Sequence, residues 1–343
     1  MHMADALISP AVGTTMCVVS AGLIAYSCRK VRETADDRKV PFMGVLGAFI
    51  FAAQMINFSI PATGSSGHLG GGMILSILLG PYAAFLVMAS VLVVQALFFG
   101  DGGLLALGCN IFNLGFFPCF IVYPLIYKKV VGDEPTKGKI LTGSLIAAIV
   151  GLQLGAFGVV LETLLSGISE LPFSTFMLLM QPIHLAIGVV EGIVTAAVVI
   201  FVWNARPEIL NAAAHSKHIG QIGIAKVLLG LLIAVVIVGG ALSWFASTNP
   251  DGLEWAMLKT AGVEELDVDH DVHKALSALQ KKTAFLPGYS FKQSETQPET
   301  QADTEPSWPA VDPGTSVSGI VGGALVLALC IAIGFLFRRR KVV

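Results

Sequence analysis

His2 and His68 are the residues whose chemistry and setting first suggest a function. A terminal amine followed by histidine is a chelate in waiting. The Met1 amine, the His2 main-chain nitrogen and the His2 Nδ1 can close a five-membered and a six-membered ring on one metal ion. These three nitrogens share a plane, and a fourth from His68 completes a square, the geometry that suits Ni(II) or Cu(II) with nitrogen ligands. His68 lies in the Gly-rich stretch Gly64-Ser65-Ser66-Gly67-His68-Leu69-Gly70-Gly71-Gly72. Asn57, Ser65 and Ser66 flank it and could orient it through hydrogen bonds. Trimming of an initiator methionine needs a small second residue, so His2 predicts that Met1 and its amine survive. The first basic residue is Arg29, after the leading apolar run instead of before it, unlike a cleaved secretory signal. Two histidines alone equally describe a frayed terminus and an ordinary loop. The elements that carry them must decide.

Those elements belong to a membrane protein. Hydrophobic residues make up 55% of the 343 and charged residues 13%, with mean hydropathy +0.77, far from the charged surface a soluble fold of this size requires. Net charge is −2, which leaves no footprint for nucleic acid. The five cysteines (Cys17, Cys28, Cys109, Cys119 and Cys330) lie in or beside apolar segments with no C-x-x-C spacing and read as packing residues. Apolar windows predict nine helices near 10–28, 41–60, 70–81, 82–99, 104–127, 140–165, 175–203, 222–246 and 316–337, with Gly80-Pro81 as a breaker.

Basic residues orient the chain. Of its 21 Lys and Arg, 16 fall in the segments after predicted helices one, five, seven and nine, all on one side if nine helices cross. That side is cytoplasmic by the positive-inside rule. The amino terminus and the His68 loop then share the outer face, and the carboxyl terminus is cytoplasmic. Residues 247–314 form one long, net acidic outer segment with a short helix expected at 271–282 and a polar tether at 293–313. Its run Asp267-Val268-Asp269-His270-Asp271-Val272-His273 matches no calcium or zinc spacing and reads as a solvated acidic face.

Ionisable residues inside a bilayer are costly and mark function or pairing. Asp101 reads as a helix cap at the interface, and Glu162 as a carboxylate near the outer water. His184 and Glu191, seven apart on one helix face, are expected to face the bundle interior as structural residues or partner contacts. Gly132-Asp133-Glu134-Pro135-Thr136-Lys137-Gly138-Lys139 misses the phosphate-binding loop by one residue of spacing and ends on Ile140 where Ser or Thr should hold magnesium. The chain therefore carries no ATP site and no enzyme activity, and needs no cofactor. One enzymatic alternative uses Ser66 in Gly64-Ser65-Ser66-Gly67 as a rhomboid-like intramembrane serine nucleophile, with His184 as its base.

Met1-His2-Met3-Ala4-Asp5-Ala6-Leu7-Ile8-Ser9-Pro10 resembles the amino terminus of the CbiM/NikM substrate-specific components of nickel and cobalt energy-coupling factor transporters. So do Gln54-Met55-Ile56-Asn57-Phe58, Gly67-His68-Leu69, Gly80-Pro81, the stretch Gln95–Gly103, Asn110-Ile111-Phe112-Asn113, and His184-Leu185-Ala186-Ile187-Gly188 with Glu191-Gly192. The likeness runs through 1–205. Residues 206–343 resemble the small auxiliary component with a Pro-Asp-Gly-Leu-Glu motif, here Pro250–Glu254. The resemblance implies an all-α inner-membrane protein with a seven-helix metal-capturing core and a two-helix auxiliary module. It implies a metal held by Met1, His2 and His68, and import of Ni2+ or Co2+ driven by two ATPase subunits through a transmembrane coupling subunit. A planar four-nitrogen site favours nickel slightly. Neighbouring genes for cobalamin synthesis would favour cobalt, and genes for urease or hydrogenase nickel.

Overall fold

The computed structural model describes residues 2–33, 38–169, 171–215, 217–218, 223–263, 266, 270–292 and 308–336. Its helices are α1 (Pro10–Glu33), α2 (Lys39–Gln54), α3 (Gly72–Leu79), α4 (Pro81–Phe99), α5 (Leu107–Val131), α6 (Lys137–Ser166), α7 (Phe173–Ala205), α8 (Pro207–Ala214), α9 (Ala225–Gly240), α10 (Gly252–Ala261), α11 (Asp271–Thr283) and α12 (Pro313–Leu336). Among the described residues, α1, α4, α5, α6, α7 and α12 are long and apolar enough to cross a bilayer, and α2 and α9 are shorter apolar helices. The chain is an all-α, multi-pass membrane protein. Among the described residues there is one small sheet, an antiparallel hairpin of β1 (Phe58–Ile60) and β2 (Ser65–Gly67), with Ser59 opposite Ser66.

Two of the expected helices take a different form, and both changes serve the His68 loop. The second stops at Gln54 instead of residue 60, because 58–60 pair with 65–67 in the hairpin. The third has only eight residues, about 12 Å at 1.5 Å per residue, against a hydrocarbon core of about 30 Å. The loop before it supplies the missing depth: every residue from 65 to 80 is buried, so His68 is sunk into the bundle. Gly71 permits the turn into α3, with φ of 77° that a side chain would strain. At Gly72 a Cβ would meet Pro118 Cγ at 2.4 Å.

Small residues bring the other helices together. Gly188 and Gly192 of α7 face the Ile149 and Leu145 backbones of α6, where an added Cβ would lie 2.8 and 2.6 Å from the Cα atoms. Gly322 of α12 lies under the Phe51 ring of α2, and Gly323 faces Val235 of α9 and Ala48 of α2. The carboxyl-terminal helices thus pack along α2. Inside α5, Pro118 and Pro124 cannot donate main-chain bonds, and 112–127 winds into wider π turns.

The segment 247–314 contains α11 where a helix was expected. Residues 293–307 of the tether, 267–269 of the acidic run, and the terminal cluster Arg338-Arg339-Arg340-Lys341 lie outside the described residues.

Candidate metal centre

Residues 2–8 form a strap that is pinned by its buried side chains while Ala4 stays exposed. Met3, Leu7 and Ile8 are fully buried. Asn110 grips Met3 from both sides, its Oδ1 accepting from the Met3 N–H at 2.8 Å and its Nδ2 donating to the Met3 carbonyl at 3.2 Å. The Asp5 carboxylate accepts from the Leu105 and Ala106 N–H groups at 2.7 and 3.0 Å. From α11, His273 Nε2 reaches the Asp5 and Ile8 carbonyls at 3.1 and 3.0 Å. The segment is anchored along its length, and the anchoring fixes His2.

His2 stacks on His68, with ring centroids 4.9 Å apart and planes 19° from parallel. Two residues 66 positions apart are therefore brought to one place. Met1, with its amine, lies outside the described residues. The His2 Nδ1 is 2.9 Å from Asp101 Oδ1, and its Nε2 is buried with no hydrogen-bond partner among the described residues. His68 bonds the Leu69 carbonyl through Nδ1 at 3.0 Å, so its ring proton sits there and Nε2 carries the lone pair. Burial pushes the His68 imidazole down to about 3, leaving it neutral at pH 7 and fit to be a metal ligand.

At the end of α4 the Asp101 N–H donates to the Gln95 carbonyl at 3.1 Å, while its side chain takes on a second task. Its carboxylate is shared between His2 and the Tyr289 hydroxyl, which donates to Oδ2. Burial opposes ionisation of Asp101, but the neighbouring His2 and the donated hydrogen bonds hold it well below the usual carboxylate range. A six-membered chelate ring uses His2 Nδ1, so closing it exchanges the Asp101 contact for a metal bond.

The His68 loop is held from beneath. Both Glu191 oxygens accept main-chain N–H groups, from Gly70 at 2.7 Å and Gly71 at 3.1 Å. Gln54 Nε2 donates to the Gly70 carbonyl at 2.9 Å, and Gln95 Nε2 donates to Gln54 Oε1 at 2.9 Å. Glu191 thus has a structural role, as expected, directed at the loop backbone. Glu162 does not reach water: it is 7% exposed and accepts from Asn113 Nδ2 at 2.7 Å.

The three flanking residues bind their own surroundings. Ser65 Oγ meets Thr63 Oγ1 at 2.8 Å, the Asn57 carbonyl accepts from the Ser247 N–H at 2.7 Å, and Ser66 Oγ donates to the Asn249 carbonyl at 2.8 Å. His184 bonds the Met180 carbonyl at 2.7 Å through Nδ1. The Ser66 hydroxyl is given to the Asn249 carbonyl and not to His184, so the two form no nucleophile–base pair, which removes the rhomboid-like reading.

The Pro-Asp-Gly-Leu-Glu motif has a local physical logic. Asp251 caps α10 by accepting from the Leu253 and Glu254 N–H groups at 2.7 and 2.9 Å, and Glu254 accepts from the Asp251 N–H at 2.8 Å, a complete capping box. Gly252 is needed because a Cβ would stand 2.6 Å from Ile183 Cγ2. The Pro250 carbonyl accepts from the Ser66 N–H at 2.8 Å. Asp251, Gly252, His68 and His184 together line a cavity of about 10 Å³, room for one small guest. Among the described residues no three His, Cys, Asp or Glu side chains converge on a metal position, so side chains alone do not complete a site at His2 and His68.

The family described as "Cobalt uptake substrate-specific transmembrane region" (CbiM) matches residues 2–209, and the "PDGLE domain" matches residues 225–339. The chain belongs to the CbiM family and carries a PDGLE domain. It is similar to an Archaeoglobus fulgidus protein provisionally named as a fused nickel transport protein NikMN, with 30% identity over 97% of this chain and 98% of that one. It is 31% identical to the fused nickel transport protein NikMN of Rhodobacter capsulatus, over 68% of this chain and 73% of that one. A solved transition metal transporter matches with TM-score 0.54 and 30% identity, covering 60% of this chain and 94% of that structure. The named members of that family that it resembles are nickel and cobalt transport proteins, not enzymes.

Proposed function

We propose that this chain is the metal-capturing membrane component of an energy-coupling factor importer for Ni2+ or Co2+, with nickel slightly favoured. The metal is the substrate, held by the Met1 amine, the His2 main-chain nitrogen, His2 Nδ1 and a nitrogen of His68. The stacking of His2 on His68 carries this reading, because it joins the terminal segment to the loop from which the fourth nitrogen comes. The geometry divides the work among the chain's own residues. Asn110 and Asp5 hold the strap, Glu191 and Gln54 hold the loop, and Asp101 keeps His2 in place until the metal takes its nitrogen.

Residues 1–205 form the capturing core and 206–343 the auxiliary module, whose extracytoplasmic loop is 247–314 and whose Pro250, His273 and Tyr289 reach the His68 loop, the terminal strap and Asp101. The amino terminus faces outward and the carboxyl terminus the cytoplasm. Without a phosphate-binding loop in this chain, two ATPase subunits act through a transmembrane coupling subunit.

The test is nickel and cobalt titration of three purified forms: untagged, extended by one residue before Met1, and tagged after Val343. The extension turns the Met1 amine into an amide while changing no side chain. Affinity should be lost in the extended form alone. Full affinity in that form defeats the terminal chelate, since a site made of His2 and His68 side chains would survive the extension.

A further inference from the structure

His184 lies inside α7 at 1% exposure, and only one edge of its ring is in use. Nδ1 bonds the Met180 carbonyl at 2.7 Å, so that nitrogen carries the proton and Nε2 the lone pair. Nε2 is buried and has no hydrogen-bond partner among the described residues. A buried acceptor left without a donor is unusual, and its presence needs a reason. The tautomer offers one. Metal-bound histidines give their other N–H to a main-chain carbonyl or a carboxylate and turn the lone pair to the ion.

Gly252 marks where the unused edge points. A Cβ at Gly252 would stand 3.3 Å from His184 Cε1, the carbon beside Nε2. Gly252 and His184 both line the cavity of about 10 Å³ whose walls also include His68 and Asp251. The Asp251 carboxylate, fixed by the Leu253 and Glu254 N–H groups, brings a negative charge to that wall. A second cavity of the same size shares Gly70, Leu114 and Leu152 with the first and continues to Glu191. Glu191 follows His184 by two turns of α7, about 10 Å along the helix. The two small spaces are neighbours, in the order His68, His184, Glu191.

We propose that His184 Nε2 is an inner metal position, the nitrogen that takes the ion from His68 as it leaves the terminal chelate. The proposal deepens the importer reading and rests on it, because the ion received is the one held there. Among the described residues no three His, Cys, Asp or Glu side chains converge on one point, so this position does not cage an ion. A position with few donors suits transit, since it can accept an ion and then give it up. A planar four-nitrogen ion exchanges ligands by taking a new donor before an old one departs, and a lone pair beside His68 supplies that donor. A water donating to Nε2 is the competing occupant of the cavity. It would satisfy the lone pair without binding a cation.

Asparagine and glutamine separate the two edges of the ring. In His184→Asn the amide nitrogen stands near the place of Nδ1, keeping the Met180 bond and removing the inner lone pair. In His184→Gln the amide reaches the place of Nε2, and the Met180 bond is lost. The first arm uses the purified full chain extended by one residue before Met1, titrated with Cu2+, the divalent ion that nitrogen sites bind most tightly. One weak equivalent is expected, with nitrogen coupling in its electron paramagnetic resonance spectrum. H184N should weaken it at least tenfold. Both variants should remove one nitrogen from the spectrum, so either one that folds decides, and H215Q beyond α8 should change neither readout. Unchanged affinity and coupling in H184N or H184Q overturn the proposal and give the cavity to a water. The second arm is nickel uptake by cells coexpressing the chain with its coupling and ATPase subunits. H184N should slow uptake at least tenfold even at saturating nickel, the mark of impaired transfer instead of weak capture. Uptake restored by excess nickel also overturns the proposal. If the unaltered chain supports no uptake with those subunits, the importer reading fails, and the copper arm still decides whether His184 binds metal.

Discussion

Replacing Glu191 with Gln changes one atom's chemistry beneath the His68 loop and should be felt at the metal. The carboxylate accepts one N–H on each oxygen, from Gly70 and Gly71. Glutamine has nearly the same shape but offers one oxygen, and its amide nitrogen would face the second N–H donor to donor. The loss of one hydrogen bond to a charged group costs about 1.5–3 kcal/mol, and the upper end applies because the stranded N–H is buried. Metal binding can pull the loop back only by making good that loss. The fall in affinity is therefore bounded near 3 kcal/mol, about 100-fold at roughly 1.4 kcal/mol per decade. An effect of about 10- to 100-fold matches what partners of metal-bound histidines contribute elsewhere. Nickel titration of the purified variant, with thermal unfolding recorded with and without nickel, separates the two effects. A lowered Tm with unchanged affinity would show that Glu191 braces the bundle without positioning His68, and the reasoning would fail.

Other predictions are narrower. Between about pH 6.5 and 3, the unfolded chain protonates His68 whereas the folded chain, with its imidazole pushed down to about 3, does not. Stability should therefore fall as pH drops through this window, by at most about 1.4 kcal/mol per pH unit from this group. His68→Gln should flatten the slope, and identical wild-type and mutant slopes in a pH series of unfolding curves would remove that contribution. His68→Ala should abolish tight metal binding in titration while the protein stays folded. Asp251→Ala opens the capping box and should cost about 1 kcal/mol in unfolding measurements. Gly108→Val should prevent recovery of monodisperse protein by size-exclusion chromatography, since a Cβ there would stand 2.3 Å from the Cys17 main-chain nitrogen. Gly138→Ala, with open space around it, should be neutral or slightly stabilising by the same measure.

Much of this protein is legible in its sequence because the information is local or compositional. Apolar length places the helices in a membrane, since a hydrocarbon core of about 30 Å admits few other solutions. The chelate proposed at Met1-His2 rests on covalent connectivity alone, and the Asp251–Glu254 capping box on a three-residue spacing. The small residues Gly188, Gly192, Gly322 and Gly323 announce close packing, yet their partners on α6, α2 and α9 emerge only when the chain is folded. Asp101 reads locally as a cap and becomes the partner of His2 and Tyr289, 99 and 188 residues away. Glu191 is conspicuous as a charge in an apolar helix, but its partners are glycine N–H groups, which leave no side-chain signal in sequence. The eight-residue α3 follows from the same cause. Its length is set by how deeply the preceding loop sinks, and that depth is decided by hydrogen bonds from Glu191 and Gln54, which only tertiary packing brings to the loop.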